Sequence, residues 1–398
     1  MQTPQWIGVI RARVTGANRP ELVASGLYVV LAVFFLYGIS GFYAKHTGFT
    51  SLIRFGEQFY LRTLPAVRYA PHVTMVNSPG YDGQFYAQLA TEPLLRNRAL
   101  DGAIDGAPYR ARRMLFAWTA YVFGLGQPAW ILKAYALQNI IAWLAIAWLM
   151  VRWLPPSRPR NLVPWIGCMF GAGLLASVHS ALLDGPSVLV IALAIAAQER
   201  GRFWLSAGLM GVSGLGRESN LVGAALVWRR RPVAAREWAI EAGRLALVLL
   251  PLAAWALYVR SVFAGHIEPG RSNLAGAFVG YLWKWKTTAA AIDAQGWRSS
   301  GLDDLLVLVG LTVQAFFLGL RWDWRSPWWR MAAPYILLMA TTAVIVWDGT
   351  VGAAPRVLLP MTFGFNVLVA RLPGRWFWPL AIAGNLSVFA GIRLMFAP

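Results

Sequence analysis

Long apolar runs separated by basic turns dominate the chain. The first run extends from about Leu22 to Tyr43 and is long enough to cross a bilayer, which takes roughly 20 helical residues. Further runs that fit spans or returns cover residues 128–151, 162–180, 184–197, 242–263, 303–320, 331–347, 356–370 and 376–396. They are too long and too continuous for barrel strands. The pattern therefore predicts an all-α polytopic integral membrane protein with about 9–11 transmembrane or re-entrant helices.

One further apolar segment, residues 203–228, is interrupted in its middle by Gly214-Leu215-Gly216-Arg217-Glu218-Ser219. We predict two short helices that enter and leave the membrane on the same side and meet at Gly216 and Arg217. Arg217 and Glu218 would then lie within the membrane or at its outer edge. Ionisable groups there are functional by default, although these two could instead form a buried ion pair that stabilises the break.

Two long polar loops, residues 44–113 and 265–302, interrupt the runs, and the whole chain, 1–398, is predicted to form a single integral domain. In the first loop, residues 52–64 carry apolar side chains at helical spacing. The spacing predicts an amphipathic helix, either in the outer membrane interface or packed on the protein's own spans. The apolar run 114–126 is too short to span and is predicted to re-enter the membrane or lie flat.

Composition supports a membrane protein, since 58% of the residues are apolar and 13% are charged. A soluble domain carries about twice that share of charges. The net charge of +19 would suggest a nucleic-acid partner in a soluble protein. Here it indicates loop arginines that fix topology beside a lipid bilayer, so no nucleic-acid partner is expected. The single cysteine, Cys168, excludes a disulfide within the chain.

Arginine clusters predict the orientation of the spans, because short cytoplasmic loops collect basic residues. With a cytoplasmic N-terminus, every cluster lies inside. The clusters are Arg11, Arg13 and Arg19; Arg152, Arg158 and Arg160; Arg200 and Arg202; Arg229, Arg230, Arg231 and Arg236; Arg321, Arg325 and Arg330; and Arg371 and Arg375. The opposite face then receives most of the unusual polar residues: Asp82, the run Tyr109–Arg113, His179, Asp184, His266, Glu268, Arg271, Asp348 and Arg356.

This outward convergence suggests a site, and Asp82 is its first candidate residue. Asp82 lies between glycines and aromatic residues in Pro79-Gly80-Tyr81-Asp82-Gly83-Gln84-Phe85-Tyr86. An outward carboxylate can act as a general base, although an Asp-Gly pair is also a common turn. The chain has no glycine-rich nucleotide loop, so a donor activated by a lipid phosphate is expected, bound through arginine.

Several basic residues leave alternatives open. Arg110, Arg112 and Arg113 could contact lipid headgroups, and Arg356 could anchor the chain at the interface or bind phosphate. Lys284 and Lys286 alternate with Trp283 and Trp285, a pattern that favours interfacial anchoring. The four histidines are scattered singly at positions 46, 72, 179 and 266, so they indicate structural roles and no metal site.

Three motifs carry a family resemblance: residues 80–90 (Gly-Tyr-Asp-Gly-Gln-Phe-Tyr-Ala-Gln-Leu-Ala), Tyr109-Arg110-Ala111-Arg112-Arg113 and Gly216-Arg217-Glu218-Ser219-Asn220. With these motifs and its topology, the chain resembles the membrane-embedded GT-C glycosyltransferases. The resemblance is strongest to bacterial polyprenyl-phosphate-sugar-dependent enzymes and PIG-V-like mannosyltransferases. The resemblance extends over most of the chain in its topology, but in its sequence it is limited to the three motifs.

The resemblance implies an inverting glycosyltransferase of the bacterial inner (cytoplasmic) membrane, with its active site on the extracytoplasmic face. It would move a sugar from a polyprenyl-phosphate donor to a glycan, glycolipid or protein acceptor, with no cofactor unless a divalent cation assists. Asp82 would be the base. Substrate or lipid phosphate would be bound by Tyr81, Gln84, Tyr86, Arg110, Arg112, Arg113, Arg217, Glu218 and Arg356.

The family's acidic loop residue often lies within a pair of acids, but Asp82 has no adjacent acid. A distant carboxylate, Asp184, Glu218 or Asp348, is therefore a secondary candidate. The alternative function is a transporter or flippase of lipid-linked saccharides, which would share the basic outer rim. Such a protein would more often show internal repeats, and none is detected in the sequence.

Overall fold

A computed structural model of the chain describes residues 19–228, 234–265, 273–297 and 300–397. Eight residues named above lie outside the described residues: Arg11, Arg13, Arg229, Arg230, Arg231, His266, Glu268 and Arg271.

Helices account for most of the described chain. In the first half they are α1 (Arg19–Ser40), α2 (Pro65–Arg68), α3 (Gly83–Thr91), α4 (Leu100–Ala103), α5 (Ala107–Arg110), α6 (Leu115–Phe123), α7 (Pro128–Met150), α8 (Leu162–Phe170), α9 (Ala172–His179) and α10 (Asp184–Glu199). Short 3-10 helices cover Thr50–Ile53, Glu57–Arg62 and Pro159–Asn161. Two-residue strands β1 (Phe55–Gly56) and β2 (Thr74–Met75) pair in parallel, with Phe55 opposite Thr74.

The described elements of the second half are all helices. Its elements are α11 (Phe203–Gly216), a 3-10 helix (Glu218–Val227), α12 (Ala235–Val262), α13 (Val279–Gln295), α14 (Ser300–Leu320), α15 (Pro327–Ala332), α16 (Pro334–Thr341), α17 (Val344–Trp347), α18 (Ala354–Val357), α19 (Leu359–Val369), α20 (Gly374–Ala383) and α21 (Ser387–Phe396).

Four helical segments among the described residues are long and apolar enough to cross a membrane: Pro128–Met150, Pro159–His179, Ala235–Val262 and Ser300–Leu320. A fifth is added if α20 and α21, which meet at a bend of 42°, form one span. Three shorter apolar helices cover Ser25–Ser40, Phe203–Gly216 and Leu359–Val369. The described part of the chain is therefore mostly helical, with the character of a multi-pass membrane protein.

Several predicted spans are broken into shorter helices. The run 331–347 folds as parts of α15, α16 and α17, because Pro334 starts a new helix and Thr342 adopts an extended backbone. Gly171, which is also extended (ψ 145°), separates α8 from α9. Proline lacks the N–H that would continue a helix, so it is favoured at a helix start. These breaks lie in the apolar runs, where hydrophobicity alone does not reveal them.

The predicted amphipathic helix over residues 52–64 is wrong. Arg54 adopts a left-handed backbone (φ 59°), which a regular helix does not admit, and strand β1 follows it. The backbone N–H of Gly56 donates to the side chain of Gln84, 28 residues away (3.1 Å). Tertiary contacts of the outer loop therefore override the local apolar spacing.

The interrupted segment 203–228 turns back on itself, as its sequence suggests. Its first residue, Phe203, packs its ring under the guanidinium of Arg244 (4.9 Å), and its last, Trp228, packs edge-on against Trp238 (6.0 Å). Arg244 and Trp238 lie close together near the start of α12. Both ends of the segment therefore lie beside the same end of α12, with Arg217 at the far end.

Helix α10 separates two polar ends of the molecule. Its first residue, Asp184, pairs with Arg217, and the carboxylate of its last, Glu199, accepts hydrogen bonds from Arg152 (3.2 Å) and Trp153 (2.9 Å). A helix of 16 residues is about 24 Å long. Asp184 and the loop that carries Arg152 therefore lie at opposite ends of the helical layer.

The anchoring role predicted for Lys284 is wrong. Its side chain is only 7% exposed, and the ammonium donates to Asp304 (2.7 Å) and to the carbonyl of Gly349 (2.7 Å). The second oxygen of Asp304 accepts the backbone N–H of Val351 (2.6 Å). A buried charge needs such a partner. This pair holds the loop that lies between Asp348 and Arg356.

Candidate functional site

A cavity of about 680 Å³ brings together almost all of the predicted site residues. The first loop, the start of α10, the break after α11, and residues 338–357 contribute its walls. The predicted residues that line it are Tyr81, Asp82, Tyr86, Arg110, Arg112, Arg113, Asp184, Arg217, Glu218, Asp348 and Arg356. Gln84 is the one predicted site residue that does not line it.

Asp82 directly precedes α3, and its side chain faces the cavity with 40% exposure. Its Oδ1 accepts a hydrogen bond from Arg110 Nη2 (2.9 Å). Oδ2 has no hydrogen-bond partner among the described residues. Burial raises the pKa of this carboxyl, but the guanidinium groups of Arg110, Arg356 and Arg113 outweigh it and hold the pKa below its usual value. Asp82 is therefore ionised at neutral pH and has one oxygen available to a ligand.

Two glycines allow the backbone to present Asp82. Gly80 has φ +72°, a conformation that residues with a side chain rarely adopt. A Cβ at Gly83 would lie 2.5 Å from the carbonyl oxygen of Ser180, so only glycine lets the start of α3 approach α9 this closely. The Gly-Tyr-Asp-Gly sequence is thus required by the position of the carboxylate as well as by the turn.

Arg113 forms the centre of a second polar group in the cavity. It donates from Nε to Glu218 (2.6 Å) and from Nη1 to the hydroxyl of Tyr86 (2.9 Å). Its guanidinium also lies over the ring of Tyr109 (4.3 Å) and donates to that residue's hydroxyl. Glu218 therefore forms an ion pair with Arg113 of the first loop, and Arg217 pairs with Asp184, whereas the alternative left open by the sequence was a pair between Arg217 and Glu218.

Asp184 holds the two arginines that approach the cavity from the helical layer. Its side chain is 2% exposed; Oδ1 accepts from Arg217, and Oδ2 lies 3.5 Å from Arg356 Nη1. Arg356 also donates to the hydroxyl of Tyr81 (3.0 Å). Since Asp184 is buried and neutralised by two cations, the geometry gives it a positioning role and not that of a base.

The lining of the cavity combines charged groups with exposed apolar residues. Its described lining carries five arginines (110, 112, 113, 217 and 356) and four carboxylates (82, 184, 218 and 348), an excess of one positive charge. On one flank it is lined by apolar residues, of which Leu274 is 56% and Ile345 is 45% exposed. Phe278 and Leu282, which follow Leu274 in the chain at intervals of four residues, are exposed as well. The arrangement can bind an anion, accept a proton at Asp82 and accommodate an apolar chain.

Gln84 has a structural position instead of lining the cavity. It is buried; Oε1 accepts from Gly56 N, and Nε2 donates to the carbonyl of Pro79 (2.8 Å). It therefore ties strand β1 to the Gly80 turn.

Replacing Gln84 by leucine is expected to destabilise the fold by about 1–3 kcal/mol, since the buried N–H of Gly56 loses its acceptor. Thermal unfolding of the purified protein measures this loss. Gln58→Leu, at an exposed position of the same loop, should change stability by less than about 0.5 kcal/mol. Unchanged stability in Gln84→Leu, combined with weakened ligand binding, would instead make Gln84 a binding residue.

Sequence reasoning assigned no site role to three residues that shape the site. Asp105 bonds Arg110 from outside the cavity (3.0 Å to Nη2), Asn273 donates to Tyr109 (2.7 Å), and Tyr109 connects this contact to Arg113. The sequence could have indicated a role for Tyr109, because this residue begins the basic motif. Asp105 and Asn273 carry no local signal, since their partners are set by tertiary contacts.

Within the described ranges, no group of three histidine, cysteine or acidic residues is arranged to hold a metal ion.

Comparisons with known proteins identify no relative. No protein-family model, curated protein or solved structure matches the chain significantly.

Proposed function

We propose that this protein is a GT-C-like membrane glycosyltransferase. It would move a sugar from a polyprenyl-phosphate donor to a hydroxyl group of an extracytoplasmic glycan, glycolipid or protein. The observation that carries the proposal is the meeting of an ionised loop carboxylate, Asp82, with five arginines in one cavity that has an exposed apolar flank.

The donor has chemistry that complements this cavity. A polyprenyl-phosphate sugar carries one negative charge on its phosphodiester, and the described lining has one positive charge in excess. Arginine presents a planar fork of donors that matches phosphate oxygens. Arg217 and Arg356, held side by side by Asp184, would bind the phosphate. The polyprenyl chain would follow the exposed strip of Leu274, Phe278 and Leu282 into lipid.

The reaction would proceed by a single displacement. The acceptor oxygen bonds to the anomeric carbon as the carbon–oxygen bond to phosphate breaks, and polyprenyl phosphate leaves towards the arginines. The acceptor attacks from the side opposite the phosphate, so the anomeric configuration inverts, and Asp82 Oδ2 takes the acceptor's proton. A weak base suffices, because the transition state of glycosyl transfer resembles an oxocarbenium ion and the acceptor oxygen becomes strongly acidic as its new bond forms.

The location of the cavity agrees with an outward-facing site. Asp82 and Asp184 lie at one end of the helical layer, and the loop of Arg152 lies at the other. If the arginine-rich loops are cytoplasmic, the reaction takes place on the extracytoplasmic face, which for a bacterial protein is the outer side of the inner membrane.

The pH dependence of activity tests whether Arg110 keeps the pKa of Asp82 low. Because cationic neighbours keep the pKa of Asp82 low, the parent should retain its activity as the pH falls to about 5, above the usual aspartate pKa of about 3.9. Arg110→Gln removes the nearest cation, so the pKa of Asp82 rises and the acid limb of kcat/KM moves to higher pH. Arg112→Gln is the matched control and should leave the limb in place. Identical limbs in both variants would contradict this coupling.

Purified protein tests the function itself. It is incubated with a panel of polyprenyl-phosphate sugars and an envelope extract as acceptor. A glycosylated product whose anomeric configuration is opposite to that of the donor supports the proposal. Retained configuration would exclude single displacement, and no product with any donor would overturn the assignment.

A further inference from the structure

An apolar groove of about 510 Å³ runs between α14 and α20. Helix α14 contributes Thr312, Phe316 and Leu320, which are spaced four residues apart and lie on one face of the helix. Helix α20 contributes Trp376 and Leu380. Among the described residues, none lines both this groove and the cavity of the candidate site. We call it the α14–α20 groove.

The α14–α20 groove opens at the arginine-rich end of the helical layer. Trp328, shortly after α14, packs edge-on against Trp153 of the loop that follows α7 (4.9 Å between ring centroids). Arg160 of the same loop donates to the carbonyls of Ala370 (3.2 Å) and Leu372 (3.3 Å), just before α20. If the arginine-rich loops are cytoplasmic, the mouth of the groove therefore lies in the cytoplasmic leaflet.

The groove has the depth and the polarity that an acyl chain needs. Helix α14 rises about 12 Å from Thr312 to Leu320, and the hydrocarbon half of one leaflet is about 15 Å thick. Phe316 is 65% and Leu320 is 84% exposed. At the inner end, the hydroxyl of Thr312 donates to the carbonyl of Leu308 (2.6 Å) and accepts from that of Tyr281 (2.7 Å). The lining therefore asks for an apolar occupant along its whole depth.

The mouth of the groove is basic. Arg321 lines it directly, Arg371 and Arg375 belong to the turn that forms its other side, and all three are exposed. Within the described ranges, none of the three forms an ion pair. Asp323 is the nearest acid in the sequence. Three arginines against one carboxylate leave an excess of two positive charges, which favours an anion at the mouth.

We propose that the α14–α20 groove binds an anionic phospholipid, with one acyl chain along α14 and the headgroup phosphate among the arginines at the mouth. Guanidinium groups donate strong, charge-assisted hydrogen bonds to phosphate oxygens, and basic pockets between transmembrane helices on the cytoplasmic side suit anionic headgroups. The exposed Trp322 and Trp376 mark the headgroup level, since tryptophan is enriched at that interface. The proposal does not depend on sugar transfer, because the groove and the candidate site share no described residue.

The basic mouth disfavours the protein itself as the occupant. A second copy of the chain would present the same arginines, and the sequence of residues 1–18 contains Arg11 and Arg13 but no acid. Like charges brought into contact are strongly unfavourable. An anionic lipid supplies both the apolar chain and the opposite charge.

Two phospholipids with the same acyl chains and different headgroups test the proposal. Dioleoyl phosphatidylglycerol is anionic, and dioleoyl phosphatidylcholine is zwitterionic. The anionic lipid should raise the unfolding temperature of the purified, delipidated protein in a saturable manner. Its apparent affinity should exceed that of the zwitterionic lipid by about tenfold or more, since each arginine near the headgroups contributes about fivefold.

Charge variants locate this selectivity. The combined substitutions Arg321→Gln, Arg371→Gln and Arg375→Gln should lower the affinity for phosphatidylglycerol by about 100-fold and leave that for phosphatidylcholine within about threefold. The matched control replaces by glutamine three exposed arginines of the same end that do not line the groove, Arg200, Arg202 and Arg236. This control should bind phosphatidylglycerol within about threefold of the parent.

A second variant separates loss of space from loss of charge. Val313 lines the inner part of the groove, and Val313→Phe narrows it while every charge is kept. The affinity for both lipids should fall by about tenfold, the effect of displacing about two methylene groups from the groove. Their ratio should stay as in the parent. The charge variants, at exposed positions, provide the test even if Val313→Phe fails to fold.

Three results would overturn the proposal. Equal affinities for the two lipids, or no stabilisation by either, would show that the mouth does not select an anionic headgroup. Selectivity lost in the control variant but kept in the groove variant would assign it to the basic surface elsewhere. A dimer that dissociates in Val313→Phe while lipid binding is unchanged would identify a second copy of the chain as the occupant. None of these results bears on sugar transfer, which the assay of glycosylated product measures separately.

Discussion

Replacing Asp82 by asparagine is expected to lower turnover by about 100-fold or more, the usual scale of general acid–base catalysis. The amide keeps the shape of the side chain and can still accept the hydrogen bond from Arg110, but it cannot take a proton from the acceptor. Folding and donor binding should therefore be nearly unchanged. Initial rates of sugar transfer and direct binding of the donor measure the two effects separately.

Asp105 provides the matched control for this variant. Both carboxylates bond Arg110, but only Asp82 lines the cavity. Asp105→Asn should lower turnover by less than about tenfold, since it affects only the positioning of Arg110. If Asp82→Asn turned over at the rate of the parent, Asp82 would not be the general base. The search for the base would then move to Glu218 and Asp348, which also line the cavity.

Replacing Arg217 or Arg356 by glutamine is expected to weaken donor binding by about 10- to 100-fold, because each loss removes a charged hydrogen bond worth about 1.5–3 kcal/mol. Either variant leaves the buried Asp184 with one of its two arginine partners. The fold should therefore survive. Equilibrium binding of a polyprenyl-phosphate sugar to the purified variants measures the effect.

A control variant at the far end of α10 sharpens this result. Arg152→Gln, at the opposite end of α10, breaks a surface pair with Glu199 and should bind the donor as the parent does. Parental donor affinity in both Arg217→Gln and Arg356→Gln would show that the phosphate binds elsewhere.

The grouping of the site residues could be predicted from the sequence because the arginine content of each short loop indicates the side of the membrane on which that loop lies. Arginine clusters mark one end of each apolar run, and the rare polar residues at the other ends must then lie together. In this way Asp82, Arg217 and Arg356, far apart in the chain, were assigned to one region, and the structure brings them to one cavity.

Other features depend on contacts that no local pattern contains. Gln84 looks like a ligand-binding amide beside Asp82, but its partner is the backbone of Gly56, which only the folded loop brings near. Lys284 looks like an interfacial lysine between tryptophans, yet Asp304 lies beside it in the fold. The helical spacing of residues 52–64 is real, but the left-handed Arg54 and the pairing of β1 with β2 prevail.

The most direct test of glycosyl transfer is made in proteoliposomes that contain the purified protein, a labelled polyprenyl-phosphate sugar and an envelope extract as acceptor. We predict that free polyprenyl phosphate appears in step with the glycosylated acceptor, and that both fall together in Asp82→Asn. Movement of intact donor between leaflets, with the sugar–phosphate bond unbroken in the presence of acceptor, would contradict the account and identify a flippase.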